Sequence, residues 1–174
     1  GDTLVATGLT ISTGNGTLVD NGNGTWSYTP ASNDDTSVSF SYTISDGDKT
    51  VAGSATLDIT PVNDAPVFGQ ASYSFNYNEN SASGATLGTV NATDVDSATL
   101  TYSITGGNSN NYFTINATTG AISLTTAGAA SFVNDYESGA NTHTLTVGVS
   151  DGSTTKYVSV TLNEQNIVEA TATA

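Results

Sequence analysis

The chain is organised by short rows in which every second residue is apolar. Val38, Phe40, Tyr42 and Ile44 alternate with Ser and Thr, the two-residue period of a strand with one buried face. The same period runs through Ala55, Leu57 and Ile59, through Leu100, Tyr102 and Ile104, through Leu145, Val147 and Val149, and through Val158, Val160 and Leu162. Between the rows stand pairs that favour tight turns: Asn15-Gly16, Asn21-Gly22, Asn23-Gly24, Asp46-Gly47, Gly106-Gly107 and Asp151-Gly152. Short, closely spaced strands with Thr-rich outer faces predict an all-β chain of antiparallel β-sandwiches with almost no helix.

The pattern occurs twice. Ser41-Tyr42-Thr43-Ile44-Ser45-Asp46-Gly47 parallels Thr146-Val147-Gly148-Val149-Ser150-Asp151-Gly152, and the two Asp residues lie 105 positions apart. Each copy is followed by a strand and then by Asn and acidic residues, Asn63-Asp64 in the first and Asn163-Glu164-Gln165-Asn166 in the second. A period near 100 residues is one sandwich domain, so the chain reads as part of an array. The expected division is a domain over 1–62, a second over 63–168 and a tail over 169–174, with a stiff proline-flanked boundary at Pro61 to Pro66. Gly1-Asp2-Thr3 reads as a cut from something longer, which leaves the first domain short of its opening strand.

Charge changes the picture most. Sixteen Asp and Glu face two Lys and no Arg, a net charge of −14. Such acids, gathered in space, repel each other unless a cation sits among them. Nucleic acid is excluded as a partner, because it needs a basic footprint. No apolar run is long enough to span a bilayer. Cys is absent and His143 is the single His, so thiolate sites, disulfides and a His-based triad are excluded together, and no enzyme is expected. His143 reads as an exposed strand residue.

Residues 63–168 resemble a cadherin repeat on six motifs in register. These are Asn63-Asp64-Ala65-Pro66-Val67-Phe68, Asn78-Glu79-Asn80, Asp94-Val95-Asp96 with the strand after it, Phe113-Thr114-Ile115 leading to Thr119-Gly120-Ala121-Ile122, Asn134-Asp135-Tyr136-Glu137, and Val149-Ser150-Asp151-Gly152. Residues 1–62 resemble the cadherin-like repeats of large bacterial RTX-type surface proteins, through Gly24-Thr25-Trp26-Ser27-Tyr28-Thr29-Pro30 and Asn33-Asp34-Asp35. The resemblance implies tandem Ig-like Greek-key sandwiches on the outside of a cell.

It also implies calcium as cofactor, bound between successive repeats. Carried over by position, Asn63, Asp64, Asp94, Asp96 and Asp151 serve one junction, with Asp34 or Asp35 as the first domain's share. Glu79, Asp135, Glu137, Glu164 and Asn166 form a second set at the far end. Pro61 and Ile167 stand where the family pattern has Asp, so fewer ions per junction are expected. Asp46 and Asp48 are equally well read as turn formers.

The function implied is a calcium-rigidified extender of a bacterial cell-surface adhesin that supports adhesion or biofilm formation, with neighbouring repeats as its partners. The competing reading is a module that grips polysaccharide or a surface protein, with Trp26 and Tyr28, or Tyr112 and Phe113, as its platform. Packing within the sheets is the plainer role for those rings.

Overall fold

The computed structural model describes residues 3–168; the tail expected over 169–174 lies outside the described residues. The chain divides into two compact units, Gly1–Val62 and Asn63–Ala174.

Unit 1 holds β1 (Val5–Thr13), β2 (Gly16–Asp20), β3 (Trp26–Pro30), β4 (Val38–Ser45) and β5 (Thr50–Leu57). One sheet runs in the order β1-β4-β5, and β2 pairs with β3 in a hairpin, all antiparallel. The turn between β4 and β5 is closed by Asp46, whose Oδ1 accepts from the backbone N–H groups of Asp48 and Lys49 at 3.0 and 2.7 Å. Gly47 there sits at φ +101°, a conformation that side chains disfavour. Val38 and Phe40 are the buried apolar residues of this unit. Tyr28 of the hairpin packs edge-on against Phe40, with ring centroids 5.4 Å apart, and so joins the two layers. Its hydroxyl donates to the Asn15 carbonyl at 2.5 Å.

Unit 2 is fuller. It comprises β6 (Val67–Phe68), β7 (Ser72–Asn78), β8 (Thr86–Thr89), β9 (Ala92–Thr93), β10 (Thr101–Gly106), β11 (Phe113–Ile115), β12 (Ala121–Leu124), a single helical turn α1 (Thr126–Ala129), a 3₁₀ turn at Phe132–Asn134, β13 (Thr142–Ser150) and β14 (Thr155–Gln165). One layer has the order β10-β13-β14-β7, the other β11-β12-β8. Inward rows from both layers meet in one core that includes Leu145, Val147, Val149, Val160 and Leu162, with Leu87, Ile122 and Leu124 opposite. Each such side chain contributes about 1.5–3 kcal/mol by leaving water.

One pairing departs from the antiparallel rule. β7 lies parallel to β14, from Ser72 beside Ser159 to Asn78 beside Gln165. Two strands far apart in the chain can pair this way without a tight turn between them. That register also decides the site. Parallel strands that start together end together, so the residues after β7 arrive beside the end of β14. None of the described helices is long and apolar enough to cross a membrane.

Candidate metal centre

At the end of β14, three carboxylates converge beside a fourth that feels their charge. Glu79 follows β7 directly and is 2% exposed. Its Oε2 accepts from the Tyr136 N–H at 3.0 Å and its Oε1 from the Ile167 N–H at 2.7 Å. Asp135 and Glu137 follow the 3₁₀ turn, and a ligand atom from each of Glu79, Asp135 and Glu137 lies within 4.8 Å of the others. Glu137 also accepts from the Asn166 amide at 2.6 Å, which draws Asn166 into the group.

Glu164 closes the set from β14. It continues the inward row of Val158, Val160 and Leu162, so the strand's own alternation turns it into the interior. It is 2% exposed, and both carboxylate oxygens are buried with no hydrogen-bond partner. Burial, and then the charges of Glu79, Asp135 and Glu137, push its carboxyl up to about 7. Neighbouring Tyr77 is raised for the same reasons, burial first and then Glu164. An uncompensated buried charge is costly. Lys156, the one Lys of unit 2, stands near the start of β14, at the opposite end of that strand.

These donors are all hard oxygens, with no His or Cys among them. Calcium takes about six to eight such oxygens at flexible angles, whereas zinc favours nitrogen and sulfur. Four carboxylates and the Asn166 side chain fit calcium, and the orphaned oxygens of Glu164 are the group that such an ion would satisfy.

At the other end of unit 2, Asn63, Asp64, Asp94, Asp96 and Asp151 are linked by hydrogen bonds. The Asn63 amide donates to Asp151 Oδ2 at 2.9 Å, and the Asp64 N–H donates to Asp96 Oδ2 at 2.5 Å. Asp94 Oδ1 accepts from the N–H groups of Asp96 and Ser97, both at 2.8 Å, while its Oδ2 is buried without a partner. The backbone N–H of Thr154 and the Asn63 amide hold the Asp151 carboxyl below the ordinary carboxylate range. The two groups stand at opposite ends of β14, roughly 30 Å apart at about 3.3 Å per residue.

Unit 1 is different. Asp34 spends its oxygens on its own turn, accepting from the Thr36 N–H and hydroxyl and from the Asn15 amide. Those bonds, the Thr36 hydroxyl first, lower its pKa. Asp35 stands beside it on the same exposed segment. Asp46 makes the turn bonds that Asp151 makes, but among the described residues no side-chain amide comparable to that of Asn63 donates to it.

Three supporting residues are not among the candidate ligands, although Asn134 lies in one of the six motifs and Ile167 is a departure from the family pattern. Asn134 is buried and braces the loop after Glu79: its Oδ1 accepts from the Ser81 N–H, and its amide donates to the carbonyls of Ser81 and Ala129, all at 3.0 Å. Tyr77 donates its hydroxyl to the Val133 carbonyl. Ile167 acts through its backbone N–H, so the side chain that replaces the expected Asp leaves that contact intact. His143 differs from expectation: it is half-buried against Phe113, with ring centroids 5.6 Å apart. Burial lowers its pKa. The strand alternation that turns Leu145 inward turns His143 the same way.

Two family models match the chain: a cadherin-like domain over residues 1–60 and a cadherin domain over residues 73–163. Among curated proteins, cadherin EGF LAG seven-pass G-type receptor 1 of Homo sapiens is 31% identical over 112 residues, covering 63% of this chain and 4% of that receptor. Receptor 2 of the same name, from Mus musculus, is 40% identical over 73 residues, covering 41% of this chain and 2% of its own length. The chain therefore spans a few per cent of these relatives. Among solved structures, mouse cadherin-23 EC22-24 matches with a TM-score of 0.67 at 25% identity, covering 94% of this chain and 54% of that one. Protocadherin gamma B2 extracellular cadherin domains 1-5 match with a TM-score of 0.64 at 22% identity, covering 94% and 34%.

Proposed function

The chain belongs to the cadherin family, with two all-β domains of that non-enzymatic adhesion fold, and on that premise we propose that it is a calcium-rigidified extender segment of a cell-surface protein. The observation that carries this is Glu164, whose two buried oxygens have no partner and which feels the charge of a cluster of three further carboxylates. Calcium held by Glu79, Asp135, Glu137, Glu164 and Asn166 neutralises that charge and locks together the loop after β7, the 3₁₀ turn and the end of β14. A following repeat supplies the remaining oxygens, as the family pattern implies. Asn63, Asp64, Asp94, Asp96 and Asp151 hold calcium at the other end, where Asp94 also has an unpartnered oxygen. Asp34 and Asp35 are secondary candidates, because Asp34 is already occupied by its turn.

The module's work is mechanical: it spans distance and resists bending while another part of the protein makes contact. Its likeness to animal receptors supports an adhesion or receptor setting at the cell surface. The matching relatives are animal cadherins, so the bacterial RTX-type adhesin and biofilm setting finds no support among them and rests on the motifs of residues 1–62 alone. A sugar- or protein-gripping module is the weaker reading, since Tyr28 packs on Phe40 and Phe113 is buried.

The test is a thermal melt of unit 2 with calcium, with magnesium and with chelator. Calcium at 100 times its Kd stabilises by about 2.7 kcal/mol, which raises Tm by roughly 10 °C for a domain of this size. Equal melting in calcium and chelator rejects the proposal.

A further inference from the structure

Glu164 stands apart from the triad beside it. A ligand atom from each of Glu79, Asp135 and Glu137 lies within 4.8 Å of the others, and that group of three does not include Glu164. Its nearest neighbour across the sheet is Asn141. The Glu164 N–H donates to the Asn141 backbone carbonyl at 2.8 Å, which carries the β13–β14 ladder one step beyond Thr142 and Asn163. Residues opposite one another on such a ladder hold their Cβ atoms about 4.5–5.5 Å apart. Alternation sets both side chains on the inward face. Asn141, His143 and Leu145 form one row, with exposed Thr142 and Thr144 between them, and they face Glu164, Leu162 and Val160 in that order. The row turns from apolar to polar as it nears the carboxylates.

Asn141 Oδ1 is buried without a hydrogen-bond partner, as are both carboxylate oxygens of Glu164. One rung of the ladder therefore carries three buried acceptors and no donor. Idle amides are not a habit of this domain, since buried Asn134 uses its oxygen and its NH2 in three bonds. Acceptors set side by side gain nothing from one another, whereas a cation between them satisfies all of them. Resting on the calcium reading above, we propose that Asn141 is a further ligand of the far-end ion, its Oδ1 coordinating the same calcium as Glu164. This oxygen comes from the start of β13, which holds no other ligand at that end, so the ion ties β13 to β14 and to the loop after β7. A neutral amide oxygen adds to the coordination number without adding another negative charge to a seat already crowded with them.

The experiment titrates the 174-residue chain with calcium by calorimetry and melts it in chelator, as parent, Asn141→Leu, Asn141→Asp and Glu137→Ala. The phase lost in Glu137→Ala marks the far-end ion. Asn141→Leu is expected to weaken that phase at least about tenfold. In chelator it should melt no lower than the parent, because an apolar group there replaces an acceptor that has no partner. Asn141→Asp keeps the oxygen and adds a negative charge, so it should bind calcium at least as tightly as the parent and melt lower in chelator. Europium in place of calcium gives a second readout, from luminescence lifetimes in H2O and D2O. The Leu variant should hold about one more bound water than the parent, and the Asp variant should match the parent. A residue that only braces the fold would lower the melting of Asn141→Leu in both solutions and leave far-end affinity and hydration unchanged, and that result overturns the proposal. A far-end phase that is lost in Glu137→Ala yet indifferent to Asn141→Leu also overturns it, while the calcium reading stands. A parent chain with no calcium phase rejects both.

Discussion

Glu164→Gln should stabilise the metal-free protein and weaken its response to calcium. The Glu164 carboxyl titrates near pH 7 in the folded chain against an ordinary value of 4.5. Between those two pH values the folded state binds the proton that the unfolded state has released, so stability falls as pH rises through that window. At about 1.4 kcal/mol for each pH unit, the loss is about 3 kcal/mol, complete just above pH 7. Gln cannot ionise, and its amide can donate to Glu79, Asp135 or Glu137. In chelator the variant should therefore show none of this loss between pH 4.5 and 8, keeping only the opposite slope from half-buried His143, while the parent chain loses roughly 10 °C more than the variant over the same range. In calcium the order reverses, because the ion needs the carboxylate: affinity falls at least about tenfold in the variant, as fewer charged ligands imply. In the parent chain, calcium binding near pH 6 releases a proton, and affinity drops with acidification. The measurements are melts across pH in chelator and calorimetric calcium titrations in two buffers of different ionisation enthalpy. Equal pH slopes for parent and variant in chelator would refute the reasoning, because Glu164 would then not be a buried charge among like charges.

The remaining expectations use matched pairs. Asp96→Ala and Glu137→Ala should each remove one phase of calcium binding and leave the other, and their effects should add, since the two groups share no partner. Leu162→Ala should cost unit 2 about 2–5 kcal/mol in a denaturant titration, while Leu57→Ala, at the repeat-related but exposed position, should cost unit 1 under about 1 kcal/mol. Gly107→Ala places a methyl 2.0 Å from the Thr144 carbonyl at φ +77°, and should lose more than about 2 kcal/mol. Gly152→Ala at φ +96° meets open space, and should lose only about 1 kcal/mol.

The strand rows were legible because period two has one geometric meaning. The rows at Val38, Leu145 and Val158 fall on β4, β13 and β14, and the row at Leu100 falls on β10 except for Leu100 itself, one residue ahead of the strand. The row at Ala55 falls on β5, which ends at Leu57 and leaves Ile59 outside. Glu164 was legible in principle too, since it is the next inward position after Leu162. Its isolation was not, because that depends on which loops arrive beside it. The parallel pairing of β7 with β14 brings Glu79 there, and nothing local in either strand announces a partner more than 80 residues away. The single turn α1 was equally silent: four residues carry no helical period, and the Thr125 hydroxyl that caps it by accepting from the Gly128 N–H is an ordinary Thr in a Thr-rich chain.

The register between β7 and β14 also governs the order in which unit 2 can assemble. Ser72 must wait for Ser159, and Asn78 for Gln165, so the first long strand of the domain has no ladder partner until the last one has left the ribosome or the secretion pore. Closing so large a loop carries an entropic cost before any contact repays it, and domains rich in such distant pairings fold slowly. Until then β7 and its aromatic row travel as an unpaired strand. The carboxylates that β7 and β14 bring together are likewise scattered along the unfolded chain and repel one another only when the sheet closes. A cation that needs all of those carboxylates together could therefore meet its full ligand set only at the last step of folding.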